Sequence, residues 1–226
     1  MPENPAMTAY ADFAAARANM VDSQVRPNKV TDRRVIAALR DIPRERFLPP
    51  ELAALAYADE RVPLGGGRVM LEPMVLARLL QTAAQAAPGP SLVVAAGTGY
   101  GAAVLARLGG QVTALEEEAG LLAIARPALA AFAPEVSIVN GPLADGWAAG
   151  APYRLILAEG AVEEVPPALC AQLASDGGRL LAVRRQGGMG QAVLLETFAG
   201  RIATSVLFDC ATPLIPSLRA APGFVF

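Results

Sequence analysis

The chain has 226 residues, of which 54% are hydrophobic and 18% are charged. This composition supports one sizeable core and excludes an intrinsically disordered chain. With a formal net charge of −2, the chain does not have the excess of basic residues that nucleic-acid binding requires. The sequence contains no histidine, which excludes His-dependent catalytic triads and His-ligated zinc sites.

The two cysteines, Cys170 and Cys210, have no CxxC partner, so the sequence suggests neither a disulfide framework nor a cysteine metal site. We interpret them as packed thiols in a reducing cytoplasm. Residues 1–20 contain Glu3 and Asp12 and do not resemble a signal peptide. No segment offers ~20 uninterrupted apolar residues, the length that a membrane span needs. We therefore expect a cytoplasmic protein with no membrane or metal partner.

The first third of the chain predicts helices followed by a hairpin. Residues 7–55 have a helical pattern, in which Asp32 belongs to a helix start signal. Three consecutive glycines at 65–67 lie between short β-type runs and predict a loop or hairpin. Pro73 then begins another helix. We predict that residues 1–77 form a helical N-terminal lid and a substrate loop.

Strands and helices alternate in the remainder, residues 78–226, which we predict to be the cofactor-binding core. The predicted strands are short, apolar throughout and separated by helices: SLVVAA, QVTALE, VSIVN, YRLILAE and GRLLAVRR. This pattern is typical of a parallel sheet covered on both faces. Two further β-type runs around Gly200 predict an antiparallel hairpin at the sheet edge. The fold class is therefore α/β, with a doubly wound, mostly parallel sheet.

A glycine turn joins the first of these strands to a helix. It consists of Gly97, Thr98, Gly99 and Tyr100. Such a turn is tight, and we expect its backbone amides to face a ligand above the strand end. About twenty residues on, Glu116 and Glu117 end the next strand, where a carboxylate can accept hydrogen bonds from ribose hydroxyls. Glu116 is the first choice for this role. The alternatives are a plain turn and a solvated acidic helix N-terminus.

The glycine spacing favours a nucleoside without phosphates. Glycines at 97, 99 and 101 do not match the GxGxxG pattern of dinucleotide sites, and the chain contains no GxxxxGK[ST] loop. NAD and ATP are therefore less favoured ligands.

Several segments, in order, resemble protein-L-isoaspartate O-methyltransferases over nearly the whole chain. The most specific are PRERFLP, GTGYGAAVLARL and VPPALCAQLASDGGRLLAV. The resemblance implies a Rossmann-like S-adenosylmethionine-dependent methyltransferase fold with a helical N-terminal lid. It further implies S-adenosylmethionine as cofactor and a protein or peptide substrate.

Three positions depart from the family pattern near the expected ligands. Val93 and Ala95 stand where the family usually has an acidic residue and a glycine in the strand before the turn. Leu71 aligns with the family serine that contacts the reacting carboxylate, and because leucine cannot donate a hydrogen bond, no catalytic residue is assigned.

Two more departures lie at later strand ends. Pro142 replaces the acidic member of a GDG-type turn expected near the adenine, and its neighbours Gly141 and Leu143 are further candidate cofactor contacts. Glu159 stands where the family usually has a small or hydroxyl residue. It is interpreted either as a carboxylate facing the sulfonium or another substrate, or as a helix N-cap or ion-pair partner.

These observations leave three functional hypotheses. The first is an S-adenosylmethionine-dependent methyltransferase with an altered substrate or weakened activity. The second is a non-catalytic relative that senses the cofactor or binds a partner, motivated by the joint departures of Leu71, Val93, Ala95 and Pro142. The third is a nicotinamide-dependent oxidoreductase, which rests only on the generic strand, turn, helix and acid pattern.

Overall fold

The structure is a computed structural model that describes residues 5–219, with side chains described from residue 13. The helices are α1 (Pro5–Met20), α2 (Arg33–Asp41), α3 (Pro73–Ala83), α4 (Tyr100–Ala106), α5 (Ala119–Phe132) and α6 (Pro167–Ala171). The strands are β1 (Val62–Gly65), β2 (Arg68–Met70), β3 (Pro90–Val94), β4 (Gln111–Glu116), β5 (Ser137–Asn140), β6 (Leu155–Val162), β7 (Arg179–Arg185), β8 (Gly190–Phe198) and β9 (Arg201–Cys210). Residues 1–4 and 220–226, the ends of the two predicted segments, lie outside the described residues.

Seven strands form the main sheet in the order β5-β4-β3-β6-β7-β8-β9. The strands from β5 to β7 pair in parallel, while β8 and β9 add antiparallel to the edge. Because the order runs outward from β3 in both directions, the sheet is doubly wound. The predicted α/β class, the mostly parallel sheet and the antiparallel edge hairpin are confirmed.

The apolar strands bury both of their faces. Leu92 and Val94 of β3 belong to one core cluster, to which α6 contributes, and Val93 between them belongs to the other, to which α3, α4 and α5 contribute. Side chains alternate between the two faces of a strand, so a strand covered on both sides is apolar at every position. This is why the central strands show no alternation of polar and apolar residues.

The N-terminal segment is helical, as predicted. The side chain of Asp32 caps α2 by accepting a hydrogen bond from the amide of Arg34 at 2.8 Å. Helix α1 continues into a π-helical turn at Val21–Val25. The proposed domain division between residues 77 and 78 falls inside α3 and stays a prediction. No helix among residues 5–219 is long and apolar enough to span a bilayer.

A separate two-stranded sheet, β1 and β2, precedes the main one. Gly66 and Gly67 link the strands, with φ of 57° and 77°. A two-residue turn with positive φ at both positions strongly favours glycine, which explains the glycine run. The predicted hairpin is present, and it lies against the carboxyl end of the main sheet, where the functional residues are found.

Candidate functional site at the ends of β3, β4 and β6

Two glutamates lie on either side of the residue that follows β3. Val94 pairs with Leu115 of β4 and with Ala158 of β6. The next residue along each flanking strand is Glu116 and Glu159, so the two carboxylates flank Ala95. Both glutamates are buried. The sheet register therefore brings together two residues that the sequence indicated separately.

The Glu116 carboxylate holds the backbone at the ends of two strands. Its Oε2 accepts the amide of Gly97 at 2.7 Å. Its Oε1 accepts the amides of Glu117 and Glu118 at 2.9 and 3.1 Å. Asn140, which the sequence analysis missed, donates from Nδ2 to the carbonyls of Glu116 and Glu117 at 2.9 and 3.2 Å. Glu116 thus organises the glycine turn, and the backbone of half-buried Glu117 is part of that arrangement.

An arginine from β2 binds the same carboxylate. Arg68 donates from Nη1 to Oε1 of Glu116 at 2.8 Å and from Nη2 to Oε2 at 2.9 Å. Its Nη2 also donates to the carbonyl of Ala95 at 2.9 Å. The two side chains are only 4% and 1% exposed, so this is a buried bidentate ion pair. Sequence reasoning missed Arg68. The available signal was a lone charge in the otherwise uncharged stretch 62–71.

The glycine turn is buried by protein atoms. Gly97, Thr98, Gly99 and Tyr100 are all buried. A Cβ at Gly97 would lie 3.5 Å from Cδ1 of Leu64, which belongs to β1. The amide of Gly97 donates to Glu116, and that of Gly99 donates to the carbonyl of Ala96 at 2.8 Å. In this structure, therefore, these two amides bond within the protein and the hairpin covers the turn.

Glu159 fills the space beside Gly101. A Cβ on Gly101 would overlap the Oε1 of Glu159, so only glycine leaves room for this carboxyl. That Oε1 has no hydrogen-bond partner among the described residues. Burial raises the pKa of Glu159 to about 8, against the opposing effect of nearby Arg68 and Arg44. The carboxyl is therefore largely protonated at neutral pH.

The N-cap and ion-pair interpretations of Glu159 are wrong. Glu159 lies within β6, and the N-cap position of α6 is Pro166, which makes no side-chain capping bond. Within residues 13–219, Glu159 makes no salt bridge. The strand places its side chain at the sheet end beside α4 instead. The interpretation as a carboxylate that faces a ligand stays a prediction.

A second buried arginine lies near Glu159. Arg44 is fully buried and donates to the carbonyls of Ala56 and Leu71 at 2.7 and 2.6 Å, while its Nη1 has no partner among the described residues. Its guanidinium lies 5.1 Å from the ring centroid of Tyr100. Burial lowers the pKa of Arg44 and raises that of Tyr100 to about 12. Tyr100 is thus a packed core residue, and Arg44, which belongs to the PRERFLP segment, went unassigned from sequence.

The remaining predicted contacts are spread over the same edge. Leu71 is buried in the core and offers no hydroxyl to the site. Leu143 is also fully buried, in the core cluster that contains Ala95. Pro142 is exposed, and a Cβ on Gly141 would lie 3.5 Å from Leu115. The assignment of these residues to a cofactor stays a prediction.

The described residues contain no cluster of three or more His, Cys, Asp or Glu side chains that could hold a metal ion.

Comparisons with known proteins agree with this architecture. The family model for protein-L-isoaspartate(D-aspartate) O-methyltransferase matches residues 15–202. A protein-L-isoaspartate O-methyltransferase of Koribacter versatilis (strain Ellin345) is 37% identical over 93% of this chain and 96% of its own length. One of Methylorubrum extorquens (strain PA1) is 40% identical over 84% of this chain and 82% of its own length.

Solved structures show the same fold at lower identity. A Plasmodium falciparum protein assigned to the same family, in complex with S-adenosyl-L-homocysteine, superposes with a TM-score of 0.75 at 16% identity, covering 91% of this chain and 98% of that one. A second structure, of a protein-L-isoaspartate O-methyltransferase, gives a TM-score of 0.76 at 22% identity over 90% of this chain and 67% of that one. The Rossmann-like fold is therefore shared.

Proposed function

Because the chain belongs to the protein-L-isoaspartate O-methyltransferase family, we propose that it transfers a methyl group from S-adenosylmethionine to a carboxylate of a protein or peptide. The observation that carries this proposal is Glu116, a buried carboxylate that ends β4 beside the turn at Gly97. A carboxylate at that place is suited to accept hydrogen bonds from ribose hydroxyls.

The side-chain types suit a nucleoside, but their arrangement in this conformation does not. Both oxygens of Glu116 accept hydrogen bonds from Arg68, and Leu64 lies over Gly97. The cofactor therefore does not fit the site in this conformation. S-adenosylmethionine supplies an activated methyl group when bound, and a carboxylate oxygen is already nucleophilic. The contribution required of the chain is therefore mainly positioning.

We propose that the substrate or the rate differs from that of the family. Leu71 stands at the position of the family serine and offers no hydrogen-bond donor to a substrate carboxylate. Losing one hydrogen bond to a charged group costs about 1.5–3 kcal/mol, or at least tenfold in rate when the bond forms in the transition state. Activity on isoaspartyl peptides is therefore expected to be weak.

Calorimetry with S-adenosylmethionine and S-adenosylhomocysteine tests the cofactor, and transfer of a labelled methyl group tests the reaction. We expect saturable binding and measurable transfer to a carboxylate of a peptide or protein. Leu71→Ser should raise the rate on an isoaspartyl peptide about tenfold, whereas the matched Leu71→Ala should not. If millimolar ligand gives neither heat nor a thermal shift with any variant, the methyltransferase proposal fails and the non-catalytic alternative gains.

We propose that the protein is cytoplasmic, because its two cysteines are not joined in a disulfide. Cys170 and Cys210 are both free thiols, and burial raises the pKa of each. Unbonded, poorly reactive thiols are usual in a reducing compartment. Fractionation of the native host, with the chain detected by antibody, tests this location; recovery in the envelope fraction would contradict it.

A further inference from the structure

The ion pair between Arg68 and Glu116 is not required by the proposed methyl transfer. We propose that Arg68 competes with the cofactor for Glu116, so that the β1–β2 hairpin acts as a latch that must leave before S-adenosylmethionine binds. This inference rests on the proposed function, because it takes Glu116 as the ribose-binding residue.

The hydrogen-bond capacity of Glu116 is the first argument. Its two oxygens accept two bonds from Arg68 and three from backbone amides. A carboxylate offers about four lone-pair sites, so five donors leave no capacity for ribose hydroxyls. The three amides belong to the turn and to the end of β4 and are fixed there by the fold. Arg68 is the donor that can be exchanged.

The hairpin also covers the glycine turn. A Cβ on Gly97 would lie 3.5 Å from Cδ1 of Leu64 in β1, and Arg68 of β2 donates a hydrogen bond to the carbonyl of Ala95. The same hairpin thus blocks both the carboxylate and the backbone that a nucleoside would approach. Its tip rests near Pro216, whose Cγ would lie 3.0 Å from a Cβ on Gly67.

The hairpin can move without breaking the main sheet. β1 and β2 pair only with each other and form a sheet separate from the seven-stranded one. Opening returns Arg68 to water and lets water reach Glu116, so that hydration of both charges offsets the loss of their attraction, while the buried side chains of Val62 and Met70 hold the hairpin closed. When a binding-competent form is only partly populated, the apparent affinity falls by the populated fraction. Weakening the latch should therefore tighten cofactor binding.

Calorimetric titration with S-adenosylhomocysteine at constant pH and salt tests the competition. We expect Arg68→Met, which keeps an apolar stem but cannot bind a carboxylate, to bind the ligand at least tenfold more tightly than the wild type. Arg61→Met is the matched control, since Arg61 precedes the same hairpin, is largely exposed and lies 3.6 Å from Glu72 instead. It should leave the affinity unchanged. Leu64→Ala retains Arg68 and loosens the hairpin, so it tests the latch even if Arg68→Met fails to fold.

Hydrogen exchange supplies a readout that does not depend on turnover. Saturating S-adenosylhomocysteine should increase exchange in residues 62–70 of the wild type, because the hairpin leaves its docked position. Equal affinity of wild type, Arg68→Met and Leu64→Ala, or unchanged exchange in the hairpin on binding, overturns the latch and leaves the proposed function standing. Absence of binding by all variants overturns the cofactor assignment and the latch together.

Discussion

Glu116 and Glu159 occupy equivalent places on either side of Ala95, yet their surroundings differ completely. Glu116 accepts five hydrogen bonds, two of them from a cation. Glu159 has an unpartnered Oε1, and burial raises its pKa to about 8. Similar burial thus accompanies an ion pair at the first position and favours a protonated carboxyl at the second. The partners that the fold supplies, and not burial alone, decide the protonation state of a buried glutamate.

Glu116→Gln should give the largest loss of stability. The amide cannot neutralise Arg68 or accept all five bonds, and breaking a buried pair on one side costs about 3–5 kcal/mol. Urea denaturation at pH 7 measures the change. The half-buried pair of Arg179 and Glu196, at 2.8 Å, supplies the control, because Glu196→Gln should cost no more than about 1 kcal/mol.

The double variant Arg68→Met/Glu116→Gln sharpens this test. Removing both charges avoids the uncompensated buried ion, so the double variant should be more stable than the sum of the two single changes indicates. Strict additivity would show that the two side chains do not interact in solution.

Glu159 should make the stability of the protein depend on pH. Its folded pKa of about 8 exceeds its ordinary value of 4.5, so the folded state binds the extra proton. The resulting stability is fully present below pH 4.5 and is lost as the pH rises through 8. Between pH 6 and 8 the wild type should lose about 2 kcal/mol relative to Glu159→Gln, which has no such proton. Urea denaturation at several pH values measures this difference. If the free energies of unfolding of the two proteins changed equally over this pH range, the raised pKa would be contradicted.

Gly101→Ala probes the space that Glu159 occupies. In an ordinary helix this change stabilises by up to about 1 kcal/mol, but here the new Cβ overlaps the Glu159 carboxyl. Overpacking costs about 1–3 kcal/mol, so a net loss of about 1–2 kcal/mol is expected. Gly120→Ala, in α5 with open space around its Cβ, should stabilise instead. The sign for Gly101→Ala should also reverse in a Glu159→Ala background; an unchanged loss there would place the clash elsewhere.

Much of the fold was accessible from sequence because local signals agreed with tertiary structure. Continuous apolar runs indicated the buried parallel strands, the glycines at 65–67 indicated the hairpin, and Asp32 indicated the start of a helix. Glu116 was accessible for the same reason, since it ends a strand next to a glycine turn. Each of these features is determined by residues that are close together in the sequence.

The details of the site depend on packing between distant segments. Arg68 lies 48 positions from Glu116, and no periodicity indicates that a hairpin folds back over the turn. Leu143 was predicted from sequence to contact the cofactor, and the structure shows only that its side chain is buried in the core. The protonation state of Glu159 depends on which residues bury it, and those residues come together only in the folded sheet.

Ala95, between the two glutamates, should give the smallest effect. Its φ of 58° is left-handed, a conformation that costs a residue with a Cβ about 1–2 kcal/mol. Ala95→Gly relieves this strain, but it loses a buried methyl group worth about 0.8 kcal/mol and makes the unfolded chain more flexible by a similar amount. The terms nearly cancel, so urea denaturation should show a change below about 1 kcal/mol.

The neighbouring alanine isolates the strain at Ala95. Ala96 is also buried, but it does not have a positive φ. Ala96→Gly should therefore cost about 1–2 kcal/mol, because it loses the methyl group and gains chain flexibility without any relief. The difference between the two variants measures the left-handed strain that Ala95 bears while its carbonyl accepts the bond from Arg68. Equal losses would show that Ala95 is unstrained in solution and that this strand end, between the two glutamates, adopts another conformation there.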